Sequence, residues 1–299
     1  MGMRSTVRDT VPKRSNFILE NKTAYIFLIP FFVTFGLFYV YPILWGPWMS
    51  FHEFTFNGQT FAGLENYRRL LVEDQFLTAL VNTLFISVIV IPVQVVVALL
   101  FAVLLNSQFT KFKKIMRAGY LVPVVMSTTI LAIIFDLFLN QGGLINTGLQ
   151  NTFGFKVNWL TDPLWAKISV ASVLIWRRLG ISILIYLAGL QGIPENLYRA
   201  AEIDGAGPLQ QFRHITIPQL WPITLVVVIL STSRTLRAFA TPFVLTGGGP
   251  GNASKTVIQL IYEVGFSQFQ LGYAATMGTV FALFIGLIMI VQYRLGGSN

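Results

Sequence analysis

The sequence contains no cysteine, little histidine and little charge. Of its 299 residues, two are His and only 11% are Asp, Glu, Lys or Arg. Without cysteine there are no disulfides, no thiolate metal ligands and no cysteine nucleophile. His52 and His214 lie in different polar segments, which leaves little for a His-based metal site. The low charge also argues against a soluble domain, whose charged fraction is typically about 25%.

Hydrophobic residues make up 54% of the chain. They cluster in runs long enough to cross a bilayer, which takes about 20 residues. We therefore predict an all-α membrane protein with six transmembrane helices, in a transmembrane domain over residues 24–295 that follows a cytoplasmic tail over residues 1–23. The predicted spans are Tyr25–Trp45, Leu80–Leu105, Tyr120–Leu139, Leu164–Leu187, Trp221–Phe243 and Tyr273–Tyr293. We interpret the first as a retained helix, because it is too long for the apolar region of a signal peptide and no A-x-A-like cleavage site follows it.

The basic residues outside these runs predict the orientation. On one side of the spans lie Arg4, Arg8, Lys13, Arg14, Lys22, Lys111, Lys113, Lys114, Arg117, Arg199, Arg213 and Arg294. On the other side lie only Arg68, Arg69, Lys156, Lys167 and Lys255. The positive-inside rule then places both termini in the cytoplasm. The net charge of +9 is thus a topology signal, and we do not expect nucleic acid as a partner.

Residues 193–218, on the predicted cytoplasmic side, have the pattern of a helix, a sharp turn and a second helix. Pro194 suits the first turn of a helix, and Gly205 suits a left-handed helix end. Pro208 suits the start of the second helix, and Pro218 is predicted to close it. The predicted apolar faces contain Leu197, Ala200 and Ala201 on the first helix, and Leu209, Phe212 and Ile215 on the second. An apolar stripe of this kind fits either docking to a partner protein or an interfacial hairpin on the lipid surface.

This loop resembles a signature of the permease subunits of binding-protein-dependent ABC importers, of the form E-A-A-x3-G-x9-I-x-L-P. Ala200, Ala201, Gly205, Ile215 and Pro218 fall on it in register, with Ile217 where Leu is usual. Asp204-Gly205-Ala206 completes the I-D-G-A wording typical of the carbohydrate-uptake branch. Further matches are Tyr41-Pro42, the segment from Gly63 to Tyr67, the run from Thr246 to Pro250, and Gly272-Tyr273-Ala274-Ala275. The resemblance therefore covers nearly the whole chain.

One departure concerns charge. Arg199 stands where the signature has Glu, and Glu202 follows where a basic residue is common. The two are spaced i, i+3, so they are able to pair within the helix. The coupling residues that the resemblance implies are Arg199, Ala200, Ala201, Glu202, Asp204, Gly205, Phe212, Ile215 and Pro218.

The resemblance also implies a function, a location and partners. It implies the transmembrane subunit of an ATP-driven importer of a sugar or similar polar solute, multi-pass in the inner membrane of a bacterial or archaeal cell. The implied partners are membrane lipid, an extracytoplasmic solute-binding protein and a second permease subunit, which in this branch is usually a different chain. Separate ATPase subunits carry ATP and Mg²⁺, and this chain is expected to bind no cofactor.

Four arginines fall inside predicted spans: Arg177 and Arg178 in the fourth, Arg234 and Arg237 in the fifth. An arginine at mid-bilayer costs roughly 2.5–3.5 kcal/mol on insertion scales, so such residues rarely face lipid. As candidates for a substrate pathway we name Arg177, Arg234, Asp136, Trp176 and Phe239. The competing interpretation is structural: the arginines pair with Asp136, with backbone carbonyls or with a partner permease, and the aromatic rings only pack.

Three other classes of function fit less well. An ion-gradient-driven secondary transporter predicts inverted repeats and acidic ion sites at mid-depth, and Asp136 is the one acid in the spans. A membrane-embedded enzyme needs clustered acids, histidines or an activated nucleophile, and the sequence suggests none. A structural scaffold would not need arginines inside the membrane.

Overall fold

The computed structural model of the chain describes residues 22–55, 58–106 and 113–296. Most of the predicted tail, residues 1–21, lies outside the described residues, as does Lys111. The orientation predicted from their charges therefore stays a prediction. All helix and strand bounds below refer to the described residues.

The first third of the chain contributes a long apolar rod, a small hairpin and the longest helix. The rod consists of α1 (Lys22–Phe35), one π-helical turn (Gly36–Val40) and α2 (Tyr41–Ser50). A two-stranded antiparallel hairpin follows, with β1 (His52–Thr55) and β2 (Gly58–Phe61) in a register that sets His52 opposite Phe61. Helix α3 (Glu65–Val72) then leads into α4 (Asp74–Asn106), an apolar helix of 33 residues.

The middle of the chain supplies the central helices. They are α5 (Lys113–Val125), α6 (Thr128–Leu139), α7 (Leu144–Phe153) and α8 (Pro163–Gln191). The carboxylate of Asp162 caps the N-terminus of α8 by accepting hydrogen bonds from the amides of Leu164 and Trp165. Such a cap satisfies amides that have no partner inside the helix.

The last third contains short helices followed by a second long pair. The short ones are α9 (Glu195–Ile203), α10 (Pro208–Gln211), a π-helical turn (Phe212–Thr216) and α11 (Ile217–Gln219). They lead into α12 (Trp221–Leu236) and α13 (Ala240–Thr246). Helix α14 (Val257–Tyr262) with its π-helical end (Glu263–Ser267) precedes α15 (Leu271–Gly296).

The core lies where α4, α8 and α12 meet. Tyr186 and Ile183 of α8 are fully buried against Ala98 and Ala102 of α4. A buried hydrogen bond of 2.7 Å from the amide of Gln94 to the hydroxyl of Ser182 joins the same two helices. Small residues at these contacts allow close approach of helix backbones, as is usual between membrane helices.

The first rod is the exception to this burial. No residue of its most apolar window is buried, although the window is as apolar as a transmembrane span. Its aromatic side chains face outward, with Phe27 79% and Phe38 72% exposed. This surface is suited to contact with lipid or with an apolar surface of another protein, because exposing so large an apolar surface to water is unfavourable.

The predicted all-α membrane fold is confirmed, while the predicted count of six spans is neither confirmed nor excluded. Five described helical segments are long and apolar enough to cross a membrane, or up to six if one bent pair counts as a single span. The first, second, fourth and sixth predicted spans each lie inside one of the five. The helices extend beyond the apolar runs because their ends reach into polar surroundings.

Two predicted spans are interrupted. The third, Tyr120–Leu139, is divided between α5 and α6 at residues 126–127, so its first turns belong to another helix. The fifth, Trp221–Phe243, ends as a regular helix at Leu236 and resumes at Ala240. The sequence predicts continuous spans because apolar residues continue on both sides of each break, although the second break contains Arg237.

The helices share two ends. At one end, the indole of Trp221 donates to the carbonyl of Gly296 over 3.2 Å, so the end of α15 lies beside the 193–220 segment. At the opposite end, the amide of Asn66 donates to the carbonyl of Ser50 over 3.0 Å and to that of His52 over 3.3 Å. The hairpin, α3 and the start of α15 thus meet at this second end.

Gly180 provides a test of the packing between α5 and α8. A Cβ at Gly180 would clash with the carbonyl oxygen of Tyr120 in α5. We expect Gly180→Ala to push the helices apart and to lower the free energy of unfolding by about 1–3 kcal/mol. Gly278→Ala is the matched control, since a Cβ at Gly278 would meet no atom within 4 Å. Thermal unfolding of both variants in one detergent measures the difference, and equal midpoints would contradict the close contact.

Candidate functional site

Residues 193–218 form the predicted helix, turn and helix. Helix α9 ends at Gly205, whose φ of +80° is in the left-handed region where glycine is favoured. The second helix begins at Pro208, also as predicted. It does not end at Pro218 but continues to Gln219, and the chain then bends by 63° into α12. The helix can continue through Pro218 because of the π-helical turn before it. There the amide of Ile217 bonds to the carbonyl of Phe212, and Pro218 has no N–H that would need an acceptor.

Internal contacts hold the two short helices together. The hydroxyl groups of Tyr198 and Thr216 lie 2.9 Å apart and join α9 to the turn before α11. The backbone amide of Ala206 donates to the carbonyl of Ala201 over 2.8 Å, and the side chain of Gln211 donates to Ala206 over 3.1 Å. The loop is therefore a cross-braced unit.

The exposed surface of this unit is apolar at its tip. Ile203 is 88% and Leu209 78% exposed, on either side of the turn at Gly205. Phe212 and Ile215, predicted for the exposed stripe, are instead half-buried beneath them. Beside the tip is a groove of about 330 Å³ lined by Ala201, Asp204, Gly205, Ala206, Gln210, Gln211, His214 and Ile215. Four of the predicted coupling residues, Ala201, Asp204, Gly205 and Ile215, thus line one groove.

The charge exchange has a structural consequence that differs from the expected pairing. Arg199 forms an ion pair of 3.1 Å with Glu195, one turn earlier, and not with Glu202. A Glu four residues before its basic partner is the favourable order on a helix. Both side chains are mostly exposed, at 71% and 77%, so the pair adds little stability. Glu202 is left on the exposed surface beside Ala200.

The intramembrane arginines surround the break between α12 and α13. A helix end leaves carbonyls without partners, and inside a membrane each such group needs a donor. Arg178 donates to the carbonyl of Arg234 over 2.9 Å and to the hydroxyl of Thr235 over 3.1 Å. Arg237 donates to the carbonyl of Ser233 over 3.0 Å. These two arginines therefore stabilise the break. For them, the competing prediction of a structural role, in which arginines pair with backbone carbonyls, describes the contacts.

Arg177 and Arg234 behave differently. Neither guanidinium forms a hydrogen bond or ion pair with another described residue, and the Nε of Arg177 is buried without an acceptor among them. Together with Arg178, Arg237, Val124 and Ile181 they line a cavity of about 410 Å³. The structure therefore places the two arginines named as pathway candidates at the same cavity as the two that serve the backbone.

The other pathway candidates lie near this cavity but not in its lining. Trp176 is 42% exposed and packs on Phe135, with ring centroids 5.4 Å apart. Phe239 lies in the break and stacks on Phe243 at 5.1 Å. Asp136 on α6 forms no ion pair with any of the four arginines in the described part of the chain. Pairing of the arginines with Asp136 is thus wrong.

Sequence reasoning missed a third feature, at the opposite end of the bundle. Arg69 bonds to Glu73 over 2.6 Å and to Gln270 over 2.8 Å, and it stacks 4.0 Å above the ring of Tyr273. Burial opposes ionisation of Glu73, but hydrogen bonds from Arg69 and Tyr273 and the charge of Arg69 hold its pKa below the usual value. Arg69, Gln270 and Tyr273 border a cavity of about 580 Å³. Only the i, i+4 spacing of Arg69 and Glu73 was visible in the sequence.

An apolar helical bundle with a braced polar loop at one end and charged groups around an internal cavity defines an integral membrane protein of the transport type. The chain belongs to the family of binding-protein-dependent transport system inner membrane components, whose profile matches residues 61–296.

Named relatives and a solved structure agree with this assignment. The arabinooligosaccharides transport system permease protein AraP of Bacillus subtilis is 35% identical over 291 residues, covering 95% of this chain and 92% of that protein. The trehalose/maltose transport system permease protein MalF of Thermococcus litoralis is 35% identical over 247 residues, covering 82% and 83%. A subunit of the bacterial alginate ABC transporter, solved in complex with an alginate pentasaccharide-bound periplasmic protein, superimposes with a TM-score of 0.84 at 24% identity, covering 95% and 97%. The last likeness shows the fold.

The two adjacent arginines of α8 should differ in their effect on stability. We expect Arg178→Leu to lower the free energy of unfolding by about 2–3 kcal/mol, because the carbonyl of Arg234 loses a charged donor. Arg177→Leu is the matched control and should not destabilise, since it removes a charge without a partner among the described residues. Thermal unfolding in detergent measures both. Equal losses would show that Arg178 does not serve the helix break.

Proposed function

We propose that this chain is the transmembrane subunit of an ATP-driven ABC importer of a saccharide, with both termini and residues 193–218 on the cytoplasmic side. The observation that carries the proposal is the tip of that loop, where Ile203 and Leu209 are exposed on a cross-braced helix pair. Membership in the transport family supports the class of function. Relatives named for arabinooligosaccharides and for trehalose and maltose support a saccharide as the solute.

The loop is suited to receive force from a partner protein. Two bulky apolar side chains exposed next to each other favour burial in a complementary cleft. An interfacial hairpin on lipid is less favoured, because Asp204, Gln210 and His214 surround the adjacent groove and would have to lose water at the bilayer surface. We assign the cleft to an ABC ATPase subunit that holds ATP and Mg²⁺, so that nucleotide-driven movement enters through this loop.

The remaining partners follow from the other surfaces. The end with the 580 Å³ cavity faces outward in this orientation and is assigned to the solute-binding protein. The unburied apolar rod of α1 and α2 is assigned to lipid and to a second permease subunit. The solute pathway is assigned to the cavity lined by Arg177 and Arg234, with Trp176 at its margin.

Reconstitution tests the proposal as a whole. The chain is expressed with an ABC ATPase and a second permease subunit from the same organism, and the complex is placed in liposomes with a solute-binding protein. Saccharide uptake should require ATP and should persist when ion gradients are collapsed. Uptake that follows an ion gradient without ATP would establish a secondary transporter and overturn the proposal.

Charge at the loop tip should abolish ATPase docking. We expect Ile203→Glu to release the ATPase from the purified complex, since a carboxylate would have to be buried where an apolar side chain was. The matched control is Leu71→Glu, because Leu71 is 87% exposed at the opposite end of the bundle. Co-purification of the ATPase is the readout. Retention of the ATPase by Ile203→Glu would exclude the tip from the contact.

The turn at Gly205 should be needed for the shape of the loop. Gly205→Val forces a β-branched residue into a φ of +80°, which costs about 1–3 kcal/mol where the conformation is retained. We expect this variant to insert normally but to lose most transport-coupled ATP hydrolysis. Gly207→Val is the matched control, because Gly207 has an ordinary φ of −70° and a Cβ there would meet no atom within 4 Å. Equal activity of the two variants would contradict the role of the turn.

A further inference from the structure

We infer that the solute held between α8 and α12 bears a carboxylate, so that the substrate class is an acidic saccharide and not a neutral one. The inference rests on the proposed transport function and deepens it. It concerns the cavity of about 410 Å³ whose lining consists of four arginines, Val124 and Ile181.

The charges at this cavity are not balanced by the chain itself. Within the described ranges, no Asp or Glu oxygen lies within 4.0 Å of a nitrogen of Arg177, Arg178, Arg234 or Arg237. The partners that Arg178 and Arg237 do have are backbone carbonyls and hydroxyl groups of Thr235 and Ser233. Such neutral acceptors satisfy hydrogen bonds but cancel no charge.

The guanidiniums of Arg177 and Arg234 also lack hydrogen bonds to described residues that would give them a structural role. The Nε of Arg177 is buried with no acceptor among the described residues, and Arg234 contributes only its backbone carbonyl to the contacts of the break. Buried polar atoms without a partner are rare and need an explanation. The guanidiniums of Arg177 and Arg234 line the cavity without an acceptor among the described residues, and we take them as the groups that bind the ligand.

The chemistry of guanidinium selects the ligand group. A carboxylate accepts two parallel hydrogen bonds from one guanidinium, and such charge-assisted bonds are about twice as strong as neutral ones. It also cancels positive charge that no Asp or Glu of the described residues balances. A hydroxyl of a neutral sugar cancels no charge, so Arg177 and Arg234, which do not serve the helix break, would keep an unbalanced charge beside a neutral solute.

The surroundings suit a sugar ring that bears this group. The cavity volume lies within the range of small-molecule sites, about 300–1,000 Å³. Trp176, next to Arg177 in the chain, is 42% exposed and offers an aromatic face at the margin. An acid contributed by a second permease subunit is the competing explanation, and it predicts no preference for acidic solutes.

Direct binding to the purified permease complex, in detergent and without ATP, tests the inference. The probes are mono- to trisaccharides of glucuronate, galacturonate, mannuronate and guluronate, each paired with its methyl ester, which has the same ring but no charge. Calorimetry at constant ionic strength should show at least one acid that binds at least tenfold more tightly than its ester.

Variants assign the preference to this cavity. Arg177→Gln should reduce the preference for the acid at least tenfold, while Arg294→Gln, an equal charge change at the exposed end of α15, should retain it. Binding of esters as tightly as acids, binding of no acid in the panel, or an unchanged preference in Arg177→Gln would each overturn the inference. Because the assay needs neither ATP hydrolysis nor ATPase attachment, its failure is distinguishable from failure of the proposed importer.

Discussion

The break in the helix between Leu236 and Ala240 is the constraint on which the rest of the bundle depends. A helix that ends inside an apolar bundle exposes carbonyls that water cannot reach, and each needs a donor from the protein. Arg178 supplies one to Arg234, Arg237 supplies one to Ser233, and the hydroxyl of Thr256 donates to Ala238 over 3.0 Å. The break therefore joins α8, α12 and the segment before α14 at one point.

This use of side chains explains two of the four arginines that the sequence places inside predicted spans. Arg178 and Arg237 are committed to the backbone, and their positive charge comes with that commitment. Arg177 and Arg234 do not share the task, yet they lie at the same cavity. The bundle thus combines a fixed structural charge with two free guanidiniums, and this combination makes the cavity attractive to an anion and unattractive to a cation.

The sequence predicted those features that depend on local chemistry. Apolar runs located most helices, and the left-handed preference of glycine placed the turn at Gly205. It failed where tertiary contacts decide: Arg237 lies in the break, but other donors to its carbonyls, Arg178 and Thr256, come from distant parts of the chain. The i, i+3 spacing suggested a pair of Arg199 with Glu202, but Glu195 offered the better geometry. The contact of Arg69 with Gln270 joins residues 201 positions apart, and no local pattern encodes it.

The position of α12 connects the loop with the cavity. Its 16 residues form a rod of about 24 Å, with the bend after Gln219 at one end and the break at the other. The loop is braced internally, so a displacement at Ile203 and Leu209 moves it as a unit and tilts this rod. Arg178 bonds to the carbonyl of Arg234 and so ties the far end of α12 to α8 beside the cavity, which in the proposed importer would be the pivot of such a tilt. In an importer, movement at the loop would thus strengthen or weaken the contacts of two guanidiniums with the solute, as expected for rigid-body coupling.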